Sequence, residues 1–230
     1  MGPQNLPERI RGVLERVARA AAGAGRNAQS VTLLAVTKAQ PAAVVRAAAD
    51  CGLVNFGESY LQEALEKIDA LHEGALTWHF VGRVQANKTR PIAQAFAWVH
   101  AVDRLKIAER LSAQRPFHAP PLNVCLQINL AGEASKGGVV PADLAALAAA
   151  VAQLPRLKLR GLMCIPPEEA ERARQRAWFR ELQRLYAALN ATGAGLDTLS
   201  MGMSADFEAA IEEGATLIRV GTALFGERPG

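Results

Sequence analysis

The chain has 230 residues, half of them hydrophobic and few aromatic, which is enough for one large core built mainly from Ala, Val and Leu. Its 26 basic and 22 acidic residues leave a net charge of +4, and the arginine-dense segment 171–184 contains interleaved glutamates at helical spacing. This pattern predicts an ion-paired solvent face and disfavours nucleic-acid binding.

Apolar stretches are too short to span a bilayer, and the N-terminus has no signal-peptide core. We therefore expect a soluble cytoplasmic protein that binds neither membrane nor nucleic acid. Cys51, Cys125 and Cys164 lie far apart in apolar segments, which predicts buried free thiols and no disulfide framework. The four histidines are scattered as well, and no metal site is predicted.

Residues 7–22 have the apolar spacing of an amphipathic helix, and residues 23–25 interrupt it. Short apolar runs then predict eight strands: 31–37, 52–56, 77–82, 97–102, 122–130, 157–163, 196–200 and 216–220. Helical patterns alternate with them at 41–50, 58–72, 85–94, 104–114, 141–153, 168–191 and 205–213.

Eight strands alternating with helices indicate an α/β protein with a single (β/α)8 TIM-like barrel. We expect residues 1–30 to form an N-terminal helix packed on the barrel and residues 31–230 to form the barrel itself. A doubly wound open sheet also fits the alternation, but it calls for a glycine-rich turn after the first strand. Lys38 stands there instead.

Lys38 follows an apolar run of β-branched and aliphatic residues at the end of the first strand. In a barrel, the carboxyl ends of the strands carry the site. A partly desolvated lysine has a lowered pKa and a usable free amine, which suits Schiff-base chemistry with an aldehyde. A lysine whose ammonium reaches out of the barrel rim into water is the alternative interpretation.

The loops after the seventh and eighth strands resemble the recurrent phosphate site of barrel proteins. They contain Ser200, Gly202, Ser204, Gly221 and Thr222, followed by a short helix. Backbone N–H groups at Gly221 and Thr222, together with the hydroxyls, would face an anion. The same residue types also serve as ordinary turn and N-cap residues.

Arg219 lies in the last predicted strand and can point into the barrel mouth. A buried guanidinium needs an acceptor, and Glu58, Asp103 and Asp197 are candidates for an ion pair. The alternative acceptor is the ring nitrogen of a pyridine cofactor. A Schiff-base lysine, a phosphate cradle and a ring-nitrogen partner are together what pyridoxal 5'-phosphate requires.

Five segments, in matching order, resemble the pyridoxal-phosphate homeostasis protein family. They are Ala35–Lys38, Phe56–Glu63, Trp78–Lys88, Leu199–Asp206 and Arg219–Gly226. The resemblance implies a fold type III barrel like the amino-terminal domain of alanine racemase, without the β-domain of that enzyme. It implies that Lys38 forms the aldimine, that Ser200, Gly221 and Thr222 contact the phosphate, and that Arg219 faces the pyridine nitrogen.

The complete cofactor-binding set expected from this resemblance is Lys38, Ser59, Ser200, Met201, Arg219, Gly221 and Thr222. At one position the chain departs from the family, because Ser59 replaces the usual asparagine. The shorter serine would need a bridging water for the same contact.

We expect a monomeric carrier that holds pyridoxal 5'-phosphate in vitamin B6 and amino-acid homeostasis and delivers it. Pyridoxal-phosphate-dependent apoenzymes are the candidate recipients. A racemase-like enzyme is the alternative, and a Schiff-base aldolase without cofactor is a third hypothesis. Racemases need a second acid/base group, and the chain has only two tyrosines, Tyr60 and Tyr186. Lys136, in the loop after the fifth strand, could accept the aldehyde by transimination during release, or it could be an ordinary exposed lysine.

Overall fold

The computed structural model describes residues 6–72, 74–133 and 137–227. Within them, eight strands form a closed parallel barrel in sequential order, and β1 pairs with β8. The strands are β1 Thr32–Val36, β2 Asn55–Glu58, β3 Thr77–Phe80, β4 Trp98–Val102, β5 Leu122–Ile128, β6 Leu157–Cys164, β7 Thr198–Ser200 and β8 Leu217–Val220. Closure confirms the predicted TIM-like barrel and excludes the open doubly wound sheet.

Helices follow the strands on the outside of the barrel. They are α1 Leu6–Gly23, α2 Ala42–Asp50, α3 Leu61–Ala70, α4 Thr89–Ala95, α5 Leu105–Gln114, α6 Leu144–Ala152, α7 Arg172–Ala191, α8 Phe207–Glu212 and α9 Thr222–Phe225. Short 3-10 turns precede the first strand and the helices α4 and α6. The helices contribute apolar residues to the same hydrophobic core as the strands.

The N-terminal helix α1 packs against α8 and α9, with Ile10, Val13 and Val17 buried. Helix α1 therefore covers α8 and α9, the last two helices of the barrel. The buried residues of α1 belong to the same hydrophobic core as the barrel. The division of the chain into residues 1–30 and 31–230 stays a prediction.

The second strand begins three residues later than the sequence suggests, at Asn55 instead of residue 52. Gly52 has φ +90 and lies in the turn that ends α2, so the chain cannot extend there. The strand also ends later, since Gly57 and Glu58 belong to β2, whereas the sequence pattern ended the strand at residue 56 and began a helix at residue 58.

Cys125 and Cys164 are buried free thiols, as expected, and burial raises the pKa of each to about 12. Cys51 is also free, but the prediction that it is buried was wrong: it is exposed at the end of α2. The arginine-dense helix α7 is an ion-paired solvent face, with Arg176 and Arg180 both bonded to Glu213 of the loop after α8. Among the described residues, no helix is long and apolar enough to cross a membrane.

Candidate functional site at the carboxyl end of the barrel

A cavity of about 340 Å³ opens where the carboxyl ends of the strands meet. This volume lies near the lower end of the range of small-molecule sites, roughly 300–1,000 Å³. The residues that line the cavity are Val36, Lys38, Gln40, Ser59, Val81, Ile165, Glu168, Met203, Ser204, Ala205, Arg219, Gly221, Thr222, Phe225 and Gly226.

Lys38 stands two residues beyond the end of β1 and is half-buried against the cavity. The residue before it, Thr37, is fully buried, and the residue after it, Ala39, has the left-handed φ of +62. An L-residue adopts this conformation only when neighbouring contacts hold it there. The backbone around Lys38 is thus fixed by the surrounding structure.

The loop after β8 presents backbone N–H groups to the cavity. The N–H groups of Gly221 and Ala223 both donate to Ser204 Oγ, at 3.3 and 3.1 Å. The loop therefore brings two N–H donors to a single acceptor oxygen, which is an arrangement that anion sites also use. Gly221 packs closely on β1, since a Cβ there would lie 3.2 Å from the Val36 carbonyl oxygen.

Arg219 lines the cavity from β8 and is only 5% exposed. Its Nη1 donates to the Ser200 carbonyl oxygen at 2.6 Å and to Ser200 Oγ at 2.9 Å, and its Nη2 donates to the Cys164 carbonyl oxygen at 2.8 Å. Burial lowers the pKa of the guanidinium. These acceptors are all neutral.

The three carboxylates that the sequence offers as partners of Arg219 have other partners. Glu58 pairs with Lys67, Asp103 with Arg104, and Asp197 with Arg160. In the described part of the chain, no carboxylate forms an ion pair with Arg219. The guanidinium therefore lies beside the cavity without an anionic neighbour at bonding distance.

A chain of buried hydrogen bonds runs from Arg219 across the barrel interior. Ser200 Oγ lies 2.8 Å from His100 Nδ1, His100 Nε2 lies 3.0 Å from His79 Nδ1, and His79 Nε2 lies 3.2 Å from Asn55 Oδ1. One order of donation satisfies every atom: the Ser200 hydroxyl donates to His100, His100 to His79, and His79 to Asn55. This order requires both rings to be neutral.

Burial produces that neutrality. It lowers the pKa of His79 to about 3, and it lowers the pKa of His100 well below its usual value, with smaller contributions from His79 and Arg219. In the sequence His79 belongs to the predicted strand 77–82 and His100 to the predicted strand 97–102, and no pattern there links these two rings with Ser200.

Five of the predicted site residues line this cavity together: Lys38, Ser59, Arg219, Gly221 and Thr222. The side chains of Ser200 and Met201 are fully buried and are not among the described lining residues. The Ser200 hydroxyl is instead bonded to Arg219 and His100. The roles of all seven remain predictions, and Lys136 lies outside the described residues.

Glu168 is a lining residue that the sequence reasoning missed. The sequence could have predicted this position, because Pro166 and Pro167 follow β6 and place the next polar residue on the rim of the barrel. Gly82 was another informative position: a Cβ there would lie 2.4 Å from the Ser59 carbonyl oxygen, so Ser59 depends on a glycine beside it.

Comparisons with known proteins agree with this geometry. The family model described as the N-terminal domain of alanine racemase matches residues 14–229. The chain is 61% identical to the pyridoxal phosphate homeostasis protein of Pseudomonas aeruginosa over 223 residues, which is 97% of this chain and 96% of that protein. It is 49% identical to the Escherichia coli K12 protein of the same name over 219 residues, 94% of each chain.

Among solved structures, the chain is similar to PipY of Synechococcus elongatus PCC7942, which has been solved with pyridoxal phosphate bound. The identity is 39% and the TM-score 0.81, and the match covers 92% of this chain and all of PipY.

Proposed function

This chain belongs to the pyridoxal phosphate homeostasis protein family, and we propose that it binds pyridoxal 5'-phosphate at the carboxyl end of its barrel, holds it and delivers it. The observation that carries the proposal is one cavity lined by Lys38, Arg219 and the Gly221–Thr222 turn. These groups match the three recognisable parts of the cofactor: an aldehyde, a ring nitrogen and a phosphate. The bound form in PipY supports the choice of ligand.

The residues present fit that ligand. The cofactor supplies an aldehyde that can form a Schiff base with a lysine amine, and we propose Lys38 as that lysine. The N–H groups of Gly221 and Ala223 both donate to Ser204 Oγ, and we propose that a phosphate oxygen accepts from these donors in place of that hydroxyl. Thr222 and Ser59 add hydroxyl donors on the lining of the same cavity.

We propose that Arg219 donates to the pyridine nitrogen and so keeps it unprotonated. The position of Arg219 on the cavity lining, where its bonded acceptors are neutral, supports a role toward the ligand. An unprotonated ring is a weak electron sink, which suits a carrier more than an enzyme. The relatives are likewise named homeostasis proteins.

The racemase-like alternative lacks a supporting observation. Neither tyrosine lines the described cavity: Tyr60 is 55% exposed on the rim, and the Tyr186 hydroxyl donates to the Leu196 carbonyl oxygen on the outer layer. Incubation of the loaded protein with single enantiomers of amino acids tests this directly. Conversion above the rate of free cofactor would overturn the carrier proposal.

We also propose that the protein works in the cytoplasm as a monomer and passes the cofactor to dependent apoenzymes. The name of the family supports a role in distributing the cofactor, and the tests are separate ones. Size-exclusion chromatography with light scattering should give a single species near 24.5 kDa. Mixing the loaded protein with a cofactor-free apoenzyme should restore the activity of that apoenzyme.

The central experiment compares Lys38→Ala with the control Lys88→Ala. Lys88 is an exposed lysine that follows β3 on the same rim of the barrel. The parent and Lys88→Ala should show visible absorbance after dialysis with pyridoxal 5'-phosphate, and borohydride should fix the cofactor to the chain. Lys38→Ala should fold normally and give no fixed adduct, although phosphate contacts can leave weak binding. An undiminished adduct in Lys38→Ala would refute the assignment of the lysine.

A further inference from the structure

A buried ion cluster lies directly behind Lys38, between β2 and α3. Lys67 of α3 is only 4% exposed, and its Nζ donates to Glu58 Oε1 at 2.8 Å, to the Thr37 carbonyl oxygen at 2.7 Å, and to Glu63 Oε1. Three acceptors use all three donors of the ammonium. We call Glu58, Glu63 and Lys67 the Lys67 cluster.

The cluster bonds to the backbone on both sides of Lys38. On one side, Thr37 donates its hydroxyl to Glu58 Oε1 at 2.6 Å and accepts from Lys67 at its carbonyl. On the other side, the Ala39 N–H donates to Glu63 Oε1 at 2.7 Å. Lys38 therefore lies between two residues that bond to the same cluster, Thr37 through the buried Glu58 and Lys67 and Ala39 through the half-buried Glu63.

The second of these bonds holds an unfavourable conformation. Ala39 and Arg156 are the two non-glycine residues with positive φ in the described chain. A residue in the left-handed region is retained when surrounding contacts determine it, and such residues cluster at functional sites. Here the Glu63 carboxylate provides the contact, and Ala39 is the next residue after the proposed cofactor lysine.

We propose that the Lys67 cluster positions Lys38, fixing the backbone at residues 37 and 39 so that the lysine amine faces the cavity. The inference rests on the proposed function. The cluster residues are positioning residues and do not touch the ligand. In the step that they favour, the neutral Lys38 nitrogen forms the C=N bond with the aldehyde carbon, and the aldehyde oxygen leaves as water.

The simplest alternative is that the cluster only attaches α3 to the barrel. The two possibilities differ in what happens to a ligand that cannot react with lysine. Pyridoxine 5'-phosphate has an alcohol where the cofactor has an aldehyde, so it uses the phosphate and ring contacts alone. A change in Lys38 orientation weakens the binding of the aldehyde and spares the alcohol, whereas a general loss of structure weakens both.

The test is Glu63→Ala, which removes the acceptor of the Ala39 N–H. We expect the apparent affinity for pyridoxal 5'-phosphate to fall about tenfold, the size of one lost hydrogen bond, and the affinity for pyridoxine 5'-phosphate to change less than about twofold. Glu63→Gln keeps an acceptor oxygen and should stay close to the parent. Glu66→Ala is the matched control, because Glu66 is an exposed carboxylate on the same helix that accepts from Gln62.

A second variant tests the strain directly. Ala39→Gly removes the steric cost of positive φ, so Glu63→Ala should cost less affinity in that background than in the parent. Equal losses for the aldehyde and the alcohol in Glu63→Ala, or no loss for either, would overturn the positioning role. If the parent itself forms no borohydride-fixed adduct at Lys38, the proposed function fails first, and that result is read from the parent alone.

Discussion

Lowering the pH from 7.5 to 5 should destabilise this protein through the two histidines buried in its barrel. In the folded state the pKa of His79 is about 3, and that of His100 is well below its usual value of 6.5. Between pH 6.5 and 3 the unfolded chain therefore binds more protons than the folded protein. The stability contributed by these rings is complete above pH 6.5 and falls as the pH falls through this window.

The size of the effect follows from the unfolded-state pKa. At pH 5, about 1.5 units below that pKa, protonation stabilises the unfolded chain by about 2 kcal/mol through His79, and His100 acts in the same direction. With a urea slope of about 3 kcal/mol/M, the His79 contribution alone should shift the unfolding midpoint by roughly 0.7 M. Glu58 and Asp206 act in the opposite direction, because burial raises the pKa of each carboxyl.

Comparison with variants isolates the histidine contribution. His79→Gln keeps an amide that can both donate and accept, and it should lose about 2 kcal/mol less stability than the parent between pH 7.5 and 5. His72→Gln and His118→Gln are the controls, since both residues are exposed. Urea unfolding followed by circular dichroism at a series of pH values measures all four proteins. The reasoning is refuted if the pH-dependent loss in His79→Gln equals that of the parent.

Two further substitutions test the site. Arg219→Gln should shift the pH–absorbance profile of the bound cofactor, and an unchanged profile would contradict contact with the ring. Glutamine is preferred to glutamate at this position, because a carboxylate would face the carbonyl oxygens of Ser200 and Cys164. Gly82→Ala should lower the free energy of unfolding by about 1–3 kcal/mol and weaken cofactor binding, because the new Cβ would lie 2.4 Å from the Ser59 carbonyl oxygen. Gly12→Ala is the control, because a Cβ added at Gly12 would meet no atom within 4 Å beyond its own stretch of helix. This variant should raise stability by about 1 kcal/mol in urea unfolding.

The sequence by itself determined the order of strands and helices and the barrel that they form. Periodicity, glycines and prolines are local signals, and eight alternating units leave few ways to pair the strands. The same signals put Lys38 at the first strand-end and Gly221 at the last. Because parallel strands end at one face, the sequence also predicted that these two residues would meet, and both line the cavity.

Only the tertiary structure decided which side chains lie beneath the cavity and what they bond. From the sequence, Ser200 was predicted as one of several hydroxyls in the phosphate-binding loops. In the structure its side chain lies in the barrel interior, between Arg219 and His100. The partners of Arg219 and the environment of Lys67 likewise depend on how strands far apart in the chain align when the barrel closes. A pattern along the chain carries no information on such pairings, because each one depends on the register between separate strands and on burial by several elements at once.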